Sequence, residues 1–98
     1  MPRASDFTKQ FHKDWVRLSR TGRFDMGCLK QVMLLLIAND TPLSPEWRDH
    51  ALAGSWSGYR ECHMGGDFLL IYQVDDAAGK SGTFVFVRAG THAELFRE

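Results

Sequence analysis

The chain has 98 residues, of which 44% are hydrophobic and 12% aromatic, so it can bury one core and does not have the composition of a disordered protein. Its 12 Lys and Arg residues balance 12 Asp and Glu residues, and the resulting net charge of zero excludes a strongly basic or acidic protein. No apolar run reaches the ~20 residues of a membrane-spanning helix, and the first residues lack the apolar core of a signal peptide. We therefore expect one domain over residues 1–98, in the cytoplasm and without a membrane partner.

The first helix is predicted from the spacing of large apolar side chains. These recur four, four and three residues apart, at Phe7, Phe11, Trp15 and Leu18. Such spacing forms one apolar stripe on an amphipathic helix. Ser5 or Asp6 can cap the start of this helix and Gly22 is placed to end it. The pattern also leaves room for a weak edge strand before Ser5.

A second helix is predicted from about Asp25 to about Asn39. Its buried stripe would comprise Leu29, Val32, Met33, Leu36 and Ile37, widened by Leu34 and Leu35. The two helices form a hairpin with a broad apolar side. That side needs a sheet to cover it.

The second half of the chain is predicted to form this sheet. Two prolines make residues 40–45 a loop, and Trp47 would pack that loop onto the core. Strands are then expected at residues 56–63, 68–74 and 83–87, with a tight turn at 65–66, a looser turn at 75–82 and a short closing helix at 93–96. The second strand is apolar enough to be central and covered on both faces. The order α-α-β-β-β-α indicates an α+β fold, with a helical hairpin packed on a small, mainly antiparallel sheet and a short C-terminal helix.

The charges are unevenly distributed along the chain. Residues 1–30 carry seven Lys and Arg against three Asp, and residues 31–98 carry five basic against nine acidic residues, so +4 and −4 cancel. A basic N-terminal part fits a surface for nucleic acid. It equally fits a solvated helix face, and charge alone does not decide between the two.

The two cysteines, Cys28 and Cys62, are predicted to be reduced and structural, since they lack CxxC spacing. A disulfide, or a metal site formed by Cys62 and His63, is the alternative. Neither is supported by spacing.

Two candidate site residues flank the predicted hairpin turn. His63 and Asp67 should come within a few ångströms of each other because antiparallel strands bring such positions together. The pair can share one chemical site, or it can form a hydrogen bond that only orients the hairpin. His50 precedes the first strand, where a lone histidine is more often a surface residue, and we expect His12 to be solvent-exposed.

The last strand and helix contribute further candidates. His92 follows Gly90-Thr91 at the start of the last helix, where it can help to bind a phosphate or simply cap the helix. Arg88 ends the last strand and suits a phosphate clamp, or else a salt bridge to an acidic neighbour.

These residue types fit metal-free RNA cleavage. Attack of a 2′-hydroxyl on the phosphate needs a base, an acid for the leaving 5′-oxygen, and positive charge on the phosphate. Histidine can give or take a proton near neutral pH, so the candidates supply all three parts without a cofactor. A zinc site built from the same His and Asp residues is less favoured, because no two of the histidines share the i, i+4 spacing of common sites and the chain has no CxxC.

Four segments carry motifs that occur together, in this order, in one family of proteins. They are residues 43–50 with Asp49-His50, residues 54–60 (Gly-Ser-Trp-Ser-Gly-Tyr-Arg), residues 67–72 with His63 four positions before Asp67, and residues 88–96 (Arg-Ala-Gly-Thr-His-Ala-Glu-Leu-Phe). On these motifs the chain resembles the YafQ branch of the RelE-type bacterial toxins over nearly its whole length.

The resemblance implies a RelE-like fold and a ribosome-dependent mRNA endonuclease, the toxin half of a type II toxin–antitoxin pair. Such toxins cut the codon in the ribosomal A site by 2′-hydroxyl attack, without a metal. The resemblance also implies the partners, namely a cognate antitoxin, the ribosome with its mRNA, and operator DNA reached only through the antitoxin complex.

Roles for individual residues follow from the same resemblance. The catalytic residues would be His50, His63, Asp67 and His92, which share the acid and base work without a unique assignment. Arg88 would hold the scissile phosphate, and Phe96 would position a base or the closing helix. Phe68 stands where YafQ carries Trp, so it keeps an aromatic surface for the substrate and loses the indole N–H. Glu61 replaces an Asp near the site.

A second interpretation gives the same surface a different use. A catalytically weak or degenerate toxin would keep only antitoxin binding, within an operon-repressing complex. The intact set of candidate residues favours the nuclease, since a degenerating site should have lost at least one of them.

Overall fold

The structure, a computed structural model, describes residues 4–38, 43, 45–75 and 83–96. Most of the predicted loop at residues 40–45 lies outside these ranges. So do the predicted looser turn after Asp75 and the predicted helix end at Asn39.

Five strands form one mixed sheet in the order β1-β5-β4-β3-β2. The strands are β1 (Ala4–Phe7), β2 (His50–Ala51), β3 (Arg60–His63), β4 (Leu69–Asp75) and β5 (Thr83–Gly90). β1 runs parallel to β5, and the other neighbouring pairs are antiparallel. The mainly antiparallel sheet is therefore confirmed. An edge strand is present as β1, although it spans Ala4–Phe7 and was predicted before Ser5, and β2 is an additional short strand at the opposite edge.

Three helices accompany the sheet: α1 (Lys9–Thr21), α2 (Met26–Ala38) and α3 (His92–Leu95). The prediction that Ser5 or Asp6 caps α1 is wrong, because the Thr8 hydroxyl accepts a hydrogen bond from the Phe11 N–H at 2.9 Å. Phe7 belongs to β1 and is 55% exposed, since pairing with β5 keeps residues 4–7 extended. Gly22 ends α1 as predicted, in the left-handed conformation at φ 69°.

Helices α1 and α2 cover one face of the sheet. Leu29, Val32 and Leu36 of α2 are buried, and Met33 and Ile37 pack partly buried against the same core. The prediction that Leu34 widens this stripe is wrong: its side chain is 65% exposed, because it points away from the sheet on the solvent side of α2.

Strand β4 is buried on both faces, as its apolar sequence predicted. Leu70 and Tyr72 face the core under the helices, and Leu69 and Ile71 join Leu95 in a second cluster on the opposite face. Successive side chains of a strand alternate between faces, so the nearly continuous apolar run at the start of β4 fits a strand between β3 and β5. The second cluster forms the floor beneath the candidate site.

The segment before β3 differs from the sequence prediction. Residues Gly54–Trp56 form a turn of 3₁₀ helix, and the strand begins only at Arg60. A second 3₁₀ turn, Pro45–Trp47, places Trp47 partly buried against the core, as expected. None of the helices in the described ranges combines the length and hydropathy that a membrane span requires.

Both cysteines are free thiols, as predicted. Cys62 is fully buried under the helices, and burial raises the pKa of its thiol. Because His63 is the next residue of β3, its side chain leaves the opposite face of the sheet. The alternative of a shared Cys62 and His63 metal site is therefore wrong.

Candidate active site

The pairing of β2 with β3 brings two histidines and a glutamate together. His50 lies opposite Glu61 in the ladder, and His63 follows two residues later on the same face. Oε2 of Glu61 is 3.0 Å from Nε2 of His50 and 3.4 Å from Nε2 of His63. Only 4% of the Glu61 side chain is exposed. These three residues, hereafter the His–Glu–His trio, place a buried carboxylate between two imidazoles.

The backbone determines which nitrogen of His50 faces the glutamate. Nδ1 of His50 is 2.8 Å from the Arg48 carbonyl oxygen, which can only accept a hydrogen bond, so this nitrogen carries a proton. Nε2 then faces the Glu61 carboxylate at hydrogen-bonding distance. A proton bound to either of these groups would therefore lie between His50 and Glu61.

A second histidine–carboxylate pair lies next to the trio. Oδ1 of Asp67 accepts hydrogen bonds from the backbone N–H of His92 at 2.8 Å and from its Nδ1 at 2.7 Å. The backbone bond first, and the ring bond second, lower the pKa of Asp67, so the carboxylate is ionised at neutral pH. It fixes the ring of His92, which directs Nε2 away from Asp67 and leaves it available for proton transfer.

The three imidazoles form one row across this face of the sheet. The ring centroids of His50 and His63 are 5.7 Å apart, and those of His63 and His92 are 6.0 Å apart. The outer two side chains are half exposed, at 50% for His50 and 56% for His92. The row thus joins two centres for proton transfer on an accessible surface.

The predicted partnership between His63 and Asp67 needs correction. His63 pairs with Leu69 in the β3–β4 ladder, and residues 64–68 form a longer connection than a tight two-residue turn. Gly65 and Gly66 turn the chain with φ of 95° and 56°. This carries Asp67 beyond the strand end, where its hydrogen bonds go to His92. His63 influences it only as a minor electrostatic cause of its lowered pKa.

Aromatic side chains extend the row beyond His92. Phe96 lies 5.9 Å from His92 between ring centroids, Trp56 packs edge-on against Phe96 at 5.8 Å, and Tyr59 packs against Trp56 at 5.4 Å. Phe96 therefore lies beside the imidazole row, and its predicted role in positioning a base stays a prediction. The end of α3 and the 3₁₀ turn before β3 supply a ring surface beside the histidines.

Arg88 makes the salt bridge that was the alternative to a phosphate clamp. Its Nε and Nη2 each lie 3.0 Å from one oxygen of Asp14 in α1. The ladder sets Arg88 opposite Ile71, and Ile71 opposite Glu61, so the Arg88 backbone is two strand spacings, roughly 10 Å, from that of Glu61. A bulge beside this position re-aims the side chain. A quarter of the Arg88 side chain remains exposed.

Asp14 itself is fully buried and was not predicted as a site residue. Burial raises its pKa, but hydrogen bonds from Arg88, the Ala89 N–H, Arg17 and Gln10 outweigh that effect and lower the pKa overall. It lies three residues after Phe11 and four before Leu18, on the buried face of α1. This spacing was the signal in the sequence that could have revealed its burial.

Phe68 is not part of the row. Its ring is 4% exposed and packs against Phe24 at 4.8 Å, in the core under the helices. In this structure the ring supports the turn that holds Asp67 and offers little surface to a substrate. His12 is exposed on α1, as expected. Thr91, not His92, caps α3 through a hydrogen bond from the Glu94 N–H.

Sequence spacing missed the central role of Glu61. The available signal was an acidic residue two positions before His63 in a predicted strand, which places both on one face. Among the described residues, His50, Glu61 and His63 also form a group whose ligand atoms all lie within 4.8 Å of one another, as a metal ion would require. The spacing of these three residues along the sequence did not predict a metal site. The pairing of β2 with β3 brings their ligand atoms together.

Comparisons with known proteins identify the family of this chain. Residues 3–97 match the family model described as a bacterial toxin of type II toxin–antitoxin system, YafQ. The mRNA interferase toxin YafQ of Escherichia coli K12 is 43% identical over 91 residues, which are 93% of this chain and 92% of that protein. In the crystal structure of the E. coli DinJ-YafQ toxin–antitoxin complex, a chain 41% identical superposes with a TM-score of 0.80, over 98% of this chain and 99% of that one. A metal-bound toxin from Helicobacter pylori, 36% identical, gives a TM-score of 0.78 over 98% of this chain and 100% of that one. This chain belongs to the YafQ family of bacterial toxins of type II toxin–antitoxin systems.

Proposed function

We propose that this toxin is a ribosome-dependent mRNA endonuclease that cuts the codon in the A site by metal-free attack of the 2′-hydroxyl. Endoribonuclease is the enzyme class of the family members named mRNA interferases, and the chain shares their fold and most of their length. The observation that carries the proposal is the pairing of two proton-transfer centres on one accessible face, the His–Glu–His trio and the Asp67–His92 pair.

The two centres suit the two proton transfers of the reaction. One must take the proton of the attacking 2′-hydroxyl, and the other must protonate the leaving 5′-oxygen. In the trio, Nε2 of His50 faces the Glu61 carboxylate across 3.0 Å, and His92 has Nε2 available because Asp67 occupies Nδ1. Groups on neighbouring rings, 6.0 Å apart between His63 and His92, can reach opposite sides of one phosphate.

Arg88 is proposed to neutralise that phosphate. A guanidinium has five N–H donors, and Asp14 takes two of them through Nε and Nη2. The remaining donors of a side chain one quarter exposed can bind a phosphate oxygen without breaking the salt bridge. Asp14 then acts as a positioning residue that restricts the rotamers of Arg88.

The rings beside the histidines are proposed to hold a base of the codon. Phe96 extends the imidazole row, and Trp56 and Tyr59 continue it. Stacking on such rings tolerates any base, because every base has a π-face. Phe68 supports this substrate site indirectly, by packing under the turn that carries Asp67.

We also propose the partners. The E. coli relative is found in a complex with the antitoxin DinJ, and a cognate antitoxin is the corresponding partner here, with operator DNA bound only through that complex. Phe7 and Leu34 are large apolar side chains exposed on the helical side, which suits a protein partner. Ribosomal RNA would face the basic part of the chain, where Lys9 and Lys13 of α1 are exposed. Such a toxin acts in the cytoplasm, where the ribosomes are.

Primer extension on a translated message tests this function. Expression of the chain should arrest bacterial growth and produce cuts at codon positions only when ribosomes are present. The variant H12Q changes an exposed histidine outside the site and should cut like the parent chain. Equal cleavage of naked RNA would refute ribosome dependence. Absence of cleavage with antitoxin binding retained would favour the antitoxin-binding module instead.

A further inference from the structure

We propose that the His–Glu–His trio is also an inhibitory binding site for a divalent transition metal, with Zn²⁺ as the best match. Two imidazole nitrogens and one carboxylate oxygen converge there from two neighbouring strands. Such a donor set, with a position left open, is one that zinc accepts. The binding claim stands on its own, whereas the inhibition rests on the nuclease function proposed above.

The distances suit a tetrahedral ion. Zinc binds imidazole nitrogen and carboxylate oxygen at about 2.0–2.2 Å, which sets neighbouring ligand atoms roughly 3.3 Å apart. The Glu61 oxygen is already 3.0 Å from one imidazole nitrogen and 3.4 Å from the other. His50 is half exposed and can make the small adjustment that closes the third edge of the triangle.

The hydrogen bonds around the trio favour a metal as well. Nδ1 of His50 is committed to the Arg48 carbonyl, the kind of backbone contact that orients metal-ligating histidines and leaves Nε2 as the ligand atom. Among buried side-chain nitrogen and oxygen atoms of the described residues, Glu61 Oε1 alone has no hydrogen-bond partner. A buried carboxylate oxygen without a partner is costly, and an ion bound to this carboxylate would offset that cost.

Metal binding and proton transfer exclude each other at this site. Zinc would occupy the Nε2 lone pairs of His50 and His63 and one carboxylate oxygen of Glu61. With its acid–base groups coordinated, the trio cannot exchange a proton with RNA, although the Asp67–His92 pair is untouched. Bound zinc should therefore lower cleavage without unfolding the protein.

Calorimetric titration of the full chain with zinc chloride tests the site. The parent chain should bind one zinc ion, and H50Q, H63Q and E61Q should each weaken binding at least tenfold. The matched control H12Q should bind as the parent does. Circular dichroism verifies folding, and H50Q guards against a folding defect because its side chain is half exposed. Parent-like binding by H50Q and H63Q, or no stoichiometric binding by the parent, would overturn the site.

Ribosomal cleavage with and without zinc tests the inhibition separately. Zinc at saturation should reduce cleavage by the parent chain at least tenfold, and a chelator should restore it. Zinc binding with unchanged or increased cleavage would overturn the inhibitory role while the site itself stood. If the metal-free chain cut no message, the proposed nuclease function would fail, and the calorimetric result would still decide whether the metal site exists.

Discussion

The two carboxylates at the site differ in burial, and we therefore expect them to contribute differently to stability and to activity. Glu61 is 3% exposed and lies between two histidines, so its removal would disturb both packing and chemistry. Asp67 is exposed, with 55% of its side chain accessible, and it acts by orienting one ring. Because exposed ion pairs contribute little to stability, Asp67 offers the cleaner separation of chemistry from folding.

Replacing Asp67 with Asn should reduce activity and leave stability nearly unchanged. The amide keeps the size of the side chain but binds the Nδ1–H of His92 more weakly, so the ring loses its fixed orientation. We expect cleavage on ribosomes to fall about ten- to a hundredfold. This is less than the roughly 10²–10⁴-fold that a proton-transferring group usually contributes, because Asp67 acts by orienting the ring of His92. Single-turnover cleavage rates and a thermal melt measure the two effects. Asp6→Asn, an exposed change in β1, is the control, and equal rates for both variants would refute the role of Asp67.

At the scale of elements, the buried carboxylate of Asp14 connects α1 with β5 directly and with α3 through Arg17. Asp14 of α1 accepts hydrogen bonds from Arg88 and from the Ala89 N–H of β5. Arg17, one turn further along α1, contacts both Asp14 and Glu94 of α3. Glu94 in turn accepts from the Thr91 N–H in the capping box that starts α3. The helix that carries His92 is thus anchored to α1 through charged side chains.

Replacing Asp14 with Asn should therefore destabilise the protein. Breaking a buried, hydrogen-bonded ion pair costs about 3–5 kcal/mol, and partial exposure of Arg88 reduces this to about 2–3 kcal/mol. Cleavage should fall too, because Arg88 loses its fixed position. Urea unfolding measures the stability. Gln10→Ala removes another donor to Asp14 and should cost less than about 1 kcal/mol, as for one exposed hydrogen bond. A similar loss of unfolding free energy in Asp14→Asn and Gln10→Ala would contradict the proposed role of Asp14.

At the scale of the whole molecule, the same carboxylate predicts how stability depends on pH. The folded-state pKa of Asp14 lies below its ordinary value of 3.8, so the folded protein binds this proton less readily than the unfolded chain. The stabilisation is complete above that ordinary value and is lost as pH falls through the folded pKa. The free energy of unfolding should decline as the medium is acidified below about pH 4. In Asp14→Asn the decline should be shallower, as measured by urea unfolding at several pH values. An identical slope in both proteins would refute the assignment to Asp14.

Much of the architecture follows from local pattern. The four and three spacing of Phe11, Trp15 and Leu18 in α1, the nearly continuous apolar run of β4, and Gly22 after α1 each predict one structure, and the observed elements agree with them. Where the prediction was wrong, contacts with residues distant in the sequence determined the local structure. Phe7 fits the helical stripe by spacing, yet pairing with β5 holds it in a strand.

The sequence by itself determined the fold class, the family motifs and the presence of His50, His63, Asp67 and His92 on or near strand ends. Only the tertiary structure decided how these residues are paired. Strand register places Glu61 between two histidines, and the longer β3–β4 connection places Asp67 where it forms a hydrogen bond with His92. Spacing along a chain identifies residues that share a face. It does not specify contacts between strands that are distant in sequence, because these depend on register and loop geometry.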